Sequence, residues 1–391
     1  MVKINFTILF LLILNCMKAQ EKIPGDLVFI DTHNDVLSRQ ILNGADLATE
    51  QPALHFDLNK SVRGRLGAQV FSIWCDETYG NDSAFSRANR EIDSLMALVK
   101  RNPGSMMFVS NAKELKQAIR KKRLAAMIGV EGGHMIGDRM DHLDHFINRG
   151  MKYLTLTWNN SVSWATSARD EVTKWDSIAQ PGLTELGRKI VARLNEKGVM
   201  IDISHVGEKT VEDVIAVTKK PVIASHSSVW ALNPHRRNLK DAQLKAVAQN
   251  GGVVFVNFYS EFLDSTYGRK RDSFLAVHQA ELDSLKLIND DEGNAVMQLL
   301  SLYPVEREAM RPPLSLLIKH IDYIVRLIGV DHVGIGADYD GAESFPQGMS
   351  DVSSYPLLLP ALRQIGYSWK DIRKIAGGNF IRVLKANEKL K

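Results

Sequence analysis

Short apolar runs recur along the chain, and each of them ends in polar residues before a stretch of mixed character begins. The runs are rich in β-branched residues and almost continuously apolar, which is typical of strands that are buried on both faces. Eight of them stand out: Leu27 to Asp31, Gln69 to Trp74, Ala125 to Val130, Tyr153 to Thr157, Val199 to Ile203, Val222 to Ala224, Val253 to Asn257 and His332 to Gly336.

The stretches between the runs carry helical periodicity, most clearly Leu183 to Lys197, which lies between Gly182 and Gly198. Eight strand-then-helix units in a chain of 391 residues predict an α/β fold, the (β/α)8 barrel of the TIM type. An open, doubly wound sheet is the alternative that strand counting leaves. No low-complexity tract divides the chain, so residues 20–391 are expected to form one domain.

Charge and cysteine content exclude several classes of protein. The net charge of +4 is spread over the chain, with dense basic spots only at Lys121-Lys122-Arg123 and Arg236-Arg237. This pattern is unlike a nucleic-acid-binding surface, so no nucleic-acid partner is predicted. The chain has only two cysteines, Cys16 and Cys75. Because Cys16 lies in the N-terminal leader, neither an internal disulfide nor a cysteine metal cluster is expected.

The first residues have the pattern of an export signal. Lys3 is followed by the apolar stretch Ile4 to Leu14 and by polar residues that end at Ala19. The apolar stretch is short for a membrane-spanning helix. We therefore expect residues 1–19 to be a signal peptide and the protein to be exported, to the periplasm or as a secreted protein. The alternative is a lipoprotein that is attached to the membrane through Cys16.

Good metal ligands stand where the apolar runs end: His33 and Asp35 after the first, Glu131 after the third, His205 after the fifth and His226 after the sixth. The carboxyl ends of barrel strands meet on one face, so these side chains are predicted to point into one cavity. Five ligands exceed the needs of one tetrahedral zinc ion, and a carboxylate can bridge two ions. The pattern therefore predicts two divalent metal ions that share Glu131.

Each of these residues also has an ordinary structural explanation when it is taken alone. A His-x-Asp pair can cap a helix, a glutamate before two glycines can end a strand, and a histidine can be satisfied in the core. Together they favour metal binding, because uncompensated carboxylates and imidazoles at buried strand ends would be costly. The remaining histidines are assigned elsewhere: His142, His145, His278 and His320 to solvated faces, and His134, His235 and His332 to structural positions.

Seven motifs point to a known family. They are Asp31-Thr32-His33-Asn34-Asp35, Gly129-Val130-Glu131-Gly132-Gly133-His134, Tyr153-Leu154-Thr155-Leu156-Thr157, Ile201-Asp202-Ile203-Ser204-His205, Ser225-His226-Ser227-Ser228, Arg236-Arg237-Asn238 and Gly336-Ala337-Asp338-Tyr339-Asp340-Gly341. With these motifs in this order, the chain resembles the membrane dipeptidase (renal dipeptidase) family of metallopeptidases. The resemblance implies a barrel with a dinuclear zinc centre. His33 and Asp35 would bind one ion, His205 and His226 the other, and Glu131 would bridge them.

The resemblance also implies roles for two further residues. Arg237 would receive the substrate carboxylate, and Asp338 would lie beside the bridging water or the substrate amine. The expected reaction is hydrolysis of a dipeptide with a free C-terminal carboxylate by a metal-bridged hydroxide, with Asp338 passing the proton to the leaving amine. The expected cofactor is Zn²⁺, two ions per chain.

One position departs from the family in a way that touches the chemistry. Better-known members have a histidine after Tyr-Leu-Thr-Leu-Thr, whereas this chain has Trp158 followed by Asn159 and Asn160. An indole has a single donor and does not titrate. Asn159, Asn160 or a metal ion would then have to polarise the reacting carbonyl, unless Trp158 simply walls the substrate pocket.

Two other functions stay open from the sequence: a dinuclear barrel hydrolase acting on lactones, cyclic amides or phosphotriesters, and a non-catalytic binding protein that keeps the fold. The Arg236-Arg237 pair argues against the first, and the complete set of five ligands argues against the second. Small dipeptides are the expected partners, contact with a membrane is expected only if Cys16 is lipidated, and a homodimer stays open. The charged stretch from Ser260 to Pro312 is expected to form a partly helical elaboration over the site.

Overall fold

The structure is a computed structural model that describes residues 23–289 and 292–388. The predicted signal peptide, residues 1–19, and the alternative of lipidation at Cys16 both lie outside these residues. The expected domain boundary between residues 19 and 20 therefore stays a prediction.

The described part of the chain contains nine strands, which pair in parallel: β1 (Phe29–Asp31), β2 (Leu66–Ile73), β3 (Met106–Phe108), β4 (Leu124–Glu131), β5 (Met151–Thr155), β6 (Met200–Asp202), β7 (Ile223–Ala224), β8 (Val253–Val256) and β9 (Val333–Ile335). Eight of them close a ring in the order β1, β2, β4, β5, β6, β7, β8, β9, because β9 pairs again with β1 and β2 pairs with β4. The predicted (β/α)8 barrel is confirmed, and all eight predicted strands are present.

The strand β3 was not predicted from the sequence. It pairs with the first half of β4, where Met106 lies opposite Leu124, and β5 takes over the same edge of β4 from Ile128 onward. A run of three residues is too short for hydrophobic periodicity to separate a strand from a loop.

Helices connect the strands and cover the barrel. They are α1 (Val36–Asn43), α2 (Leu58–Arg63), α3 (Asn81–Arg101), α4 (Ala112–Arg120), α5 (Met140–Asn148), α6 (Ala168–Thr173), α7 (Glu185–Lys197), α8 (Glu208–Val217), α9 (Asp241–Gln249), α10 (Ser260–Leu263), α11 (Tyr267–Val277), α12 (Gln279–Lys286), α13 (Glu292–Leu302), α14 (Pro304–Met310), α15 (Leu314–Ile328), α16 (Leu358–Gln364), α17 (Trp369–Arg373) and α18 (Asn379–Asn387). The predicted helix Leu183 to Lys197 is α7. It begins two residues later than predicted and ends at Gly198, whose φ of 72° suits a glycine cap.

The barrel interior is filled by side chains that alternate with those facing the outer helices. Val70 and Met127 belong to the inner cluster together with Phe255 from β8. The C-terminal helix α18 closes the amino-terminal end of the barrel, where Phe380 meets Phe255 with ring centroids 6.0 Å apart. The opposite end, at which the strands finish, stays open for a site.

Helices α10 to α14 form the elaboration that was expected for Ser260 to Pro312. They have a small apolar core of their own, which includes Tyr267, Phe274 and Leu299. Among the described residues, no helix combines the length and the apolar character that crossing a bilayer requires.

Two histidines assigned to solvated faces are buried instead. His320 accepts a hydrogen bond from the backbone N–H of Val229 at 3.2 Å, and its Nε2 lies 3.2 Å from the carbonyl oxygen of Leu263. His142 stacks on Phe85 with ring centroids 3.7 Å apart. The assignment was wrong because each histidine lies on the buried face of its helix, although its neighbours in sequence include charged residues.

Candidate active site

The five predicted metal ligands converge at the open end of the barrel. His33 and Asp35 follow β1, Glu131 is the last residue of β4, and His205 and His226 follow β6 and β7. All five side chains are buried. Parallel strands of one barrel end on one face, so residues that are far apart in sequence meet there.

The carboxylate of Glu131 lies at the centre of this group. Its Oε1 is 2.9 Å from Nε2 of His205 and 3.3 Å from Nε2 of His226, and its Oε2 is 3.3 Å from Nε2 of His33. Nε2 of His33 is also 3.4 Å from Oδ2 of Asp35. One oxygen of Glu131 therefore faces the His205–His226 pair, and the other faces His33 and Asp35.

Hydrogen bonds behind the ligands hold two of the imidazoles in place. Nδ1 of His226 lies 2.8 Å from the hydroxyl of Ser225, which donates to Oδ2 of Asp202 at 2.6 Å. Nδ1 of His33 lies 2.9 Å from the hydroxyl of Tyr153. Since the Nδ1 atoms are engaged, Nε2 of each ring is left to face the centre, which is the usual arrangement behind metal-binding histidines.

The charges and free atoms of the site fit divalent cations. Nε2 of His33 and Oδ1 of Asp35 are buried and have no hydrogen-bond partner. Burial, with Arg237 adding to it, lowers the pKa of His205 to about 3, so this imidazole is neutral and free to coordinate. Burial also acts against a charge on His33, yet Tyr153, Glu131 and Asp35 together raise its pKa well above the usual value. The carboxylates of Glu131 and Asp35 therefore favour positive charge near the His33 imidazole.

Two site residues have a backbone conformation that is uncommon for residues with a side chain. His205 and Asp338 have φ angles of 66° and 65°, in the left-handed region. Such strain often collects at functional sites. It is not diagnostic here, because Arg65 and Lys122 share this conformation far from the centre.

Gly341 leaves the space in which two acidic side chains of the site lie. A Cβ atom at this position would overlap Oδ2 of Asp35 and Oδ1 of Asp338. We expect Gly341→Ala to displace both carboxylates and to lower metal content and dipeptide turnover. Turnover should fall more than tenfold, which corresponds to at least about 1.4 kcal/mol of activation free energy. Metal analysis and kinetics check this, with Gly104→Ala as control because that glycine has open space around it. Unchanged metal content in Gly341→Ala would contradict the packing argument.

A cavity of about 530 Å³ opens above the ligands and is lined by Glu131, His205, Arg237 and Asp338. Arg237 is buried, and its guanidinium donates to the carbonyl oxygen of His226 at 3.3 Å while its Nε has no partner. Burial lowers the pKa of Arg237 to about 10, which still leaves it protonated at neutral pH. The cavity therefore holds one buried, incompletely paired cation beside the predicted centre.

Trp158, Asn159 and Asn160, which follow the motif where the family has its histidine, differ in whether they reach the cavity. Trp158 and Asn159 line the cavity, and the Trp158 ring lies 6.3 Å from that of His205 and 5.1 Å from that of Trp74. Asn160 is not among the residues that line it, and its amide instead lies 3.4 Å from the carbonyl oxygen of Ser161. The structure thus brings two of these three residues to the site.

Several residues of the site were not identified from the sequence. Asn257 donates to Oδ2 of Asp338 at 2.8 Å, and it follows β8 just as the ligands follow their strands. Arg39 donates to the side-chain oxygen of Asn294 in α13 at 2.6 Å, and Arg271 in α11 donates to Glu261 at 2.6 Å. A polar residue at a strand end could have indicated Asn257, whereas the two arginine contacts depend on how the elaboration folds back.

Comparison with known proteins agrees with this site. The family model for membrane dipeptidases, peptidase family M19, matches residues 17–391 of the chain. The chain belongs to the membrane dipeptidase family. It is therefore a metal-dependent dipeptidase enzyme that acts on small peptides.

Solved structures with the same fold cover nearly the whole chain. The probable dipeptidase PvdM from Pseudomonas aeruginosa is 25% identical over 93% of this chain and 96% of that chain, with a TM-score of 0.77. A metallopeptidase from Rhodobacter sphaeroides, liganded with a phosphinate mimic of the dipeptide L-Ala-D-Ala, is 24% identical over 92% and 99%, with a TM-score of 0.74. The dipeptidase AC, a metallopeptidase, is 24% identical over 93% and 99%, with a TM-score of 0.75.

Proposed function

We propose that the protein is a dinuclear zinc dipeptidase that cleaves dipeptides with a free C-terminal carboxylate. The observation that carries the proposal is the position of Glu131. Its Oε1 lies 2.9 Å from Nε2 of His205 and 3.3 Å from Nε2 of His226. Its Oε2 lies 3.3 Å from Nε2 of His33, which in turn is 3.4 Å from Asp35. A carboxylate placed in this way is suited to bridging two cations.

The donor set favours zinc over Mg²⁺ and Ca²⁺. Three imidazoles and two carboxylates offer nitrogen and oxygen ligands, whereas Mg²⁺ and Ca²⁺ are bound mainly by oxygen. Proteins of this family depend on metal, and zinc with two ions per chain is the assignment that these ligands support.

The chemistry divides between the cations and the residues of the chain. When bound, divalent ions supply a Lewis acid for the scissile carbonyl and lower the pKa of a water. Arg237 holds the substrate carboxylate with its forked donors. Asp338 accepts the proton of the attacking water and returns it to the leaving amine. Its Oδ1 faces the centre at 4.0 Å from Nε2 of His33, while Oδ2 accepts the hydrogen bond from Asn257.

The test of the proposed function is the metal content of the purified protein together with its activity on dipeptides. We expect close to two zinc ions per chain, loss of hydrolysis after chelation, and recovery when zinc is returned. A fully active protein with one ion or none per chain would contradict the dinuclear centre. Hydrolysis of lactones in preference to dipeptides would instead support the broader class of barrel hydrolases.

Asn159 is the residue that we assign to polarise the substrate carbonyl in place of the family's histidine. Asn159 is among the residues that line the cavity, whereas Asn160 is not. Loss of one preorganised donor typically costs about 10²-fold or more in kcat. We expect a fall in kcat of about that size in Asn159→Ala, and little change in the neighbouring control Asn160→Ala. Equal, unchanged turnover in both variants would leave Trp158 and Asn159 as wall residues only.

We also propose that this dipeptidase acts outside the cytoplasm. The support is the N-terminal pattern of Lys3, the apolar stretch Ile4 to Leu14 and Ala19, which is typical of an export signal. N-terminal sequencing of the protein recovered from its native cell tests the cleavage site. A first residue of Gln20 supports the signal peptide, and a blocked Cys16 supports the lipoprotein.

A further inference from the structure

The amino-terminal face of the barrel, opposite the active site, carries two of the basic runs of the sequence. In a (β/α)8 barrel the loops that precede the strands lie on this face. The run Lys121-Lys122-Arg123 leads into β4, and Lys219-Lys220 leads into β7. These residues are remote in sequence and are brought to one side of the molecule by the fold.

Further cations adjoin these loops. Lys116 and Arg120 of α4 line a groove of about 310 Å³ whose other walls include Val28, Ile119 and Ile381. Nζ of Lys220 lies 3.3 Å from the carbonyl oxygen of Ala386, at the end of α18. We call the resulting surface the basic face and define it by seven residues: Lys116, Arg120, Lys121, Lys122, Lys219, Lys220 and Lys385.

Within the described ranges, none of these seven cations has a carboxylate partner within ion-pair distance. Two nearby acidic residues are paired with other cations, Asp26 with Arg373 at 2.6 Å and Asp331 with Lys374 at 2.6 Å. A third, Glu388 at the end of α18, accepts a hydrogen bond from the backbone N–H of Ala112. Side-chain charges that are not neutralised within the protein act on charged partners in solution. The basic face therefore carries an excess of positive charge beside a partly apolar groove.

The chain enters the barrel on the same side. The segment from Ile23 to Leu27 leads into β1, and Asp26 and Leu27 line the groove. Six residues lie between Cys16 and Ile23, so the seven steps of the chain reach at most about 25 Å when extended. An N-terminus held at a membrane would keep the basic face close to the lipid headgroups.

The two ends of the barrel differ in charge. The active-site cavity is lined by eight carboxylate side chains against four arginines, while the basic face is cationic. Two divalent cations bound among these carboxylates would offset their excess charge. A negatively charged surface would therefore attract the basic face more strongly than the cavity mouth. A protein bound in this way would hold its active site toward the solution.

We propose that the basic face docks on a bilayer rich in anionic phospholipid and orients the active site away from it. Lysine and arginine side chains near such a surface contribute roughly fivefold each to binding. The apolar groove between Lys116 and Arg120 offers room for part of a lipid chain beneath its phosphate. The interaction needs neither catalysis nor a transmembrane helix, so it can fail or hold independently of the dipeptidase assignment.

The test compares three forms of the full protein that share the same N-terminus. One is native, one is Lys116→Glu with Lys121→Glu and Lys219→Glu, and the third is the control Lys245→Glu with Arg269→Glu and Lys319→Glu. The control residues are exposed and lie on α9, α11 and α15, away from the basic face. Both triple variants change the net charge by the same amount, so a difference between them reports on position.

Binding is measured by sedimentation with vesicles of phosphatidylcholine, with or without about 30% phosphatidylglycerol. We expect the native protein and the control variant to bind the anionic vesicles and not to bind the neutral vesicles. We expect the basic-face variant to bind roughly a hundredfold more weakly, and dipeptide hydrolysis to be equal in all three. Native binding should weaken when salt rises to about 0.5 M.

Three results would overturn the proposal. The first is equal binding of the two triple variants to anionic vesicles, which would show that the location of the basic residues on the surface does not affect binding. The second is native binding that is equally strong on neutral vesicles, which would point to an apolar N-terminus instead. The third is tighter binding to duplex DNA than to anionic vesicles at the same ionic strength, which would replace lipid with nucleic acid as the partner.

Discussion

Replacing Glu131 with glutamine is expected to remove both metal ions, whereas replacing His33 with alanine is expected to leave one. The glutamine keeps the shape of the side chain but loses the negative charge that faces both ligand groups. Glu131 Oε1 lies 2.9 Å from His205 and Oε2 lies 3.3 Å from His33. Because a bridging carboxylate neutralises two cations at once, its loss affects both, and we expect turnover to fall by at least about 10³-fold.

Metal analysis by mass spectrometry, with turnover on the same samples, separates the two variants. Ser72→Ala is the matched control, because it removes one hydrogen bond to Oε2 of Glu131, of 3.2 Å, and leaves the carboxylate in place. We expect it to keep both ions. Equal metal loss in Glu131→Gln and His33→Ala would show that Glu131 has no special bridging role, provided that both variants unfold cooperatively.

The position of the metal ligands could be predicted from the sequence, because a barrel brings the ends of its successive strands to one face. His33, Glu131, His205 and His226 each end or follow a predicted strand, and parallel barrel strands finish on one face. Predicting eight strands was therefore enough to bring these residues together. The same reasoning would have placed Asn257 beside Asp338, had a neutral amide been counted as a candidate.

Other parts of the site depend on contacts that no local pattern records. The hydrogen bond from Arg39 to Asn294 and the pairing of Arg271 with Glu261 arise only when α11 and α13 fold back over the barrel. Asn159 and Asn160 are adjacent and chemically identical, yet only Asn159 lines the cavity. The direction of a side chain in an irregular loop follows from its local turn and its partners, and hydrophobic periodicity carries no information about it.

The basic face shows a similar limit. Lys121-Lys122-Arg123 was recognised as a dense basic spot in the sequence, but the run alone is too short to indicate a partner. Its meaning changes when the fold brings Lys219 and Lys385 to the same side of the barrel. The charge of this face is therefore better predicted from the summed charge of all loops that precede strands than from single basic runs in the sequence.

Arg237 is expected to determine that substrates carry a free C-terminal carboxylate. Its guanidinium is buried next to His226, with 4% of the residue exposed, and it packs over the ring of Phe262 at 5.3 Å. Its Nε has no partner, and its bond to the hydroxyl of Ser227 is long at 3.5 Å. A buried guanidinium with donors to spare is suited to a second, charged acceptor, and the substrate carboxylate is one.

The experiment compares a dipeptide with its C-terminal amide in the native enzyme and in Arg237→Met, which keeps an unbranched apolar stem but removes the guanidinium and its charge. A charge-assisted hydrogen bond contributes about 1.5 to 3 kcal/mol, or roughly ten-fold to a hundred-fold in kcat/KM. We expect the native enzyme to prefer the acid by about that factor and Arg237→Met to lose most of the preference while keeping its metal. Arg236→Met is the control, because Arg236 is the exposed neighbour of the same charge. If the native enzyme cleaves acid and amide equally well, the carboxylate is not recognised, and the buried charge of Arg237 must then serve the centre itself by holding the backbone of His226.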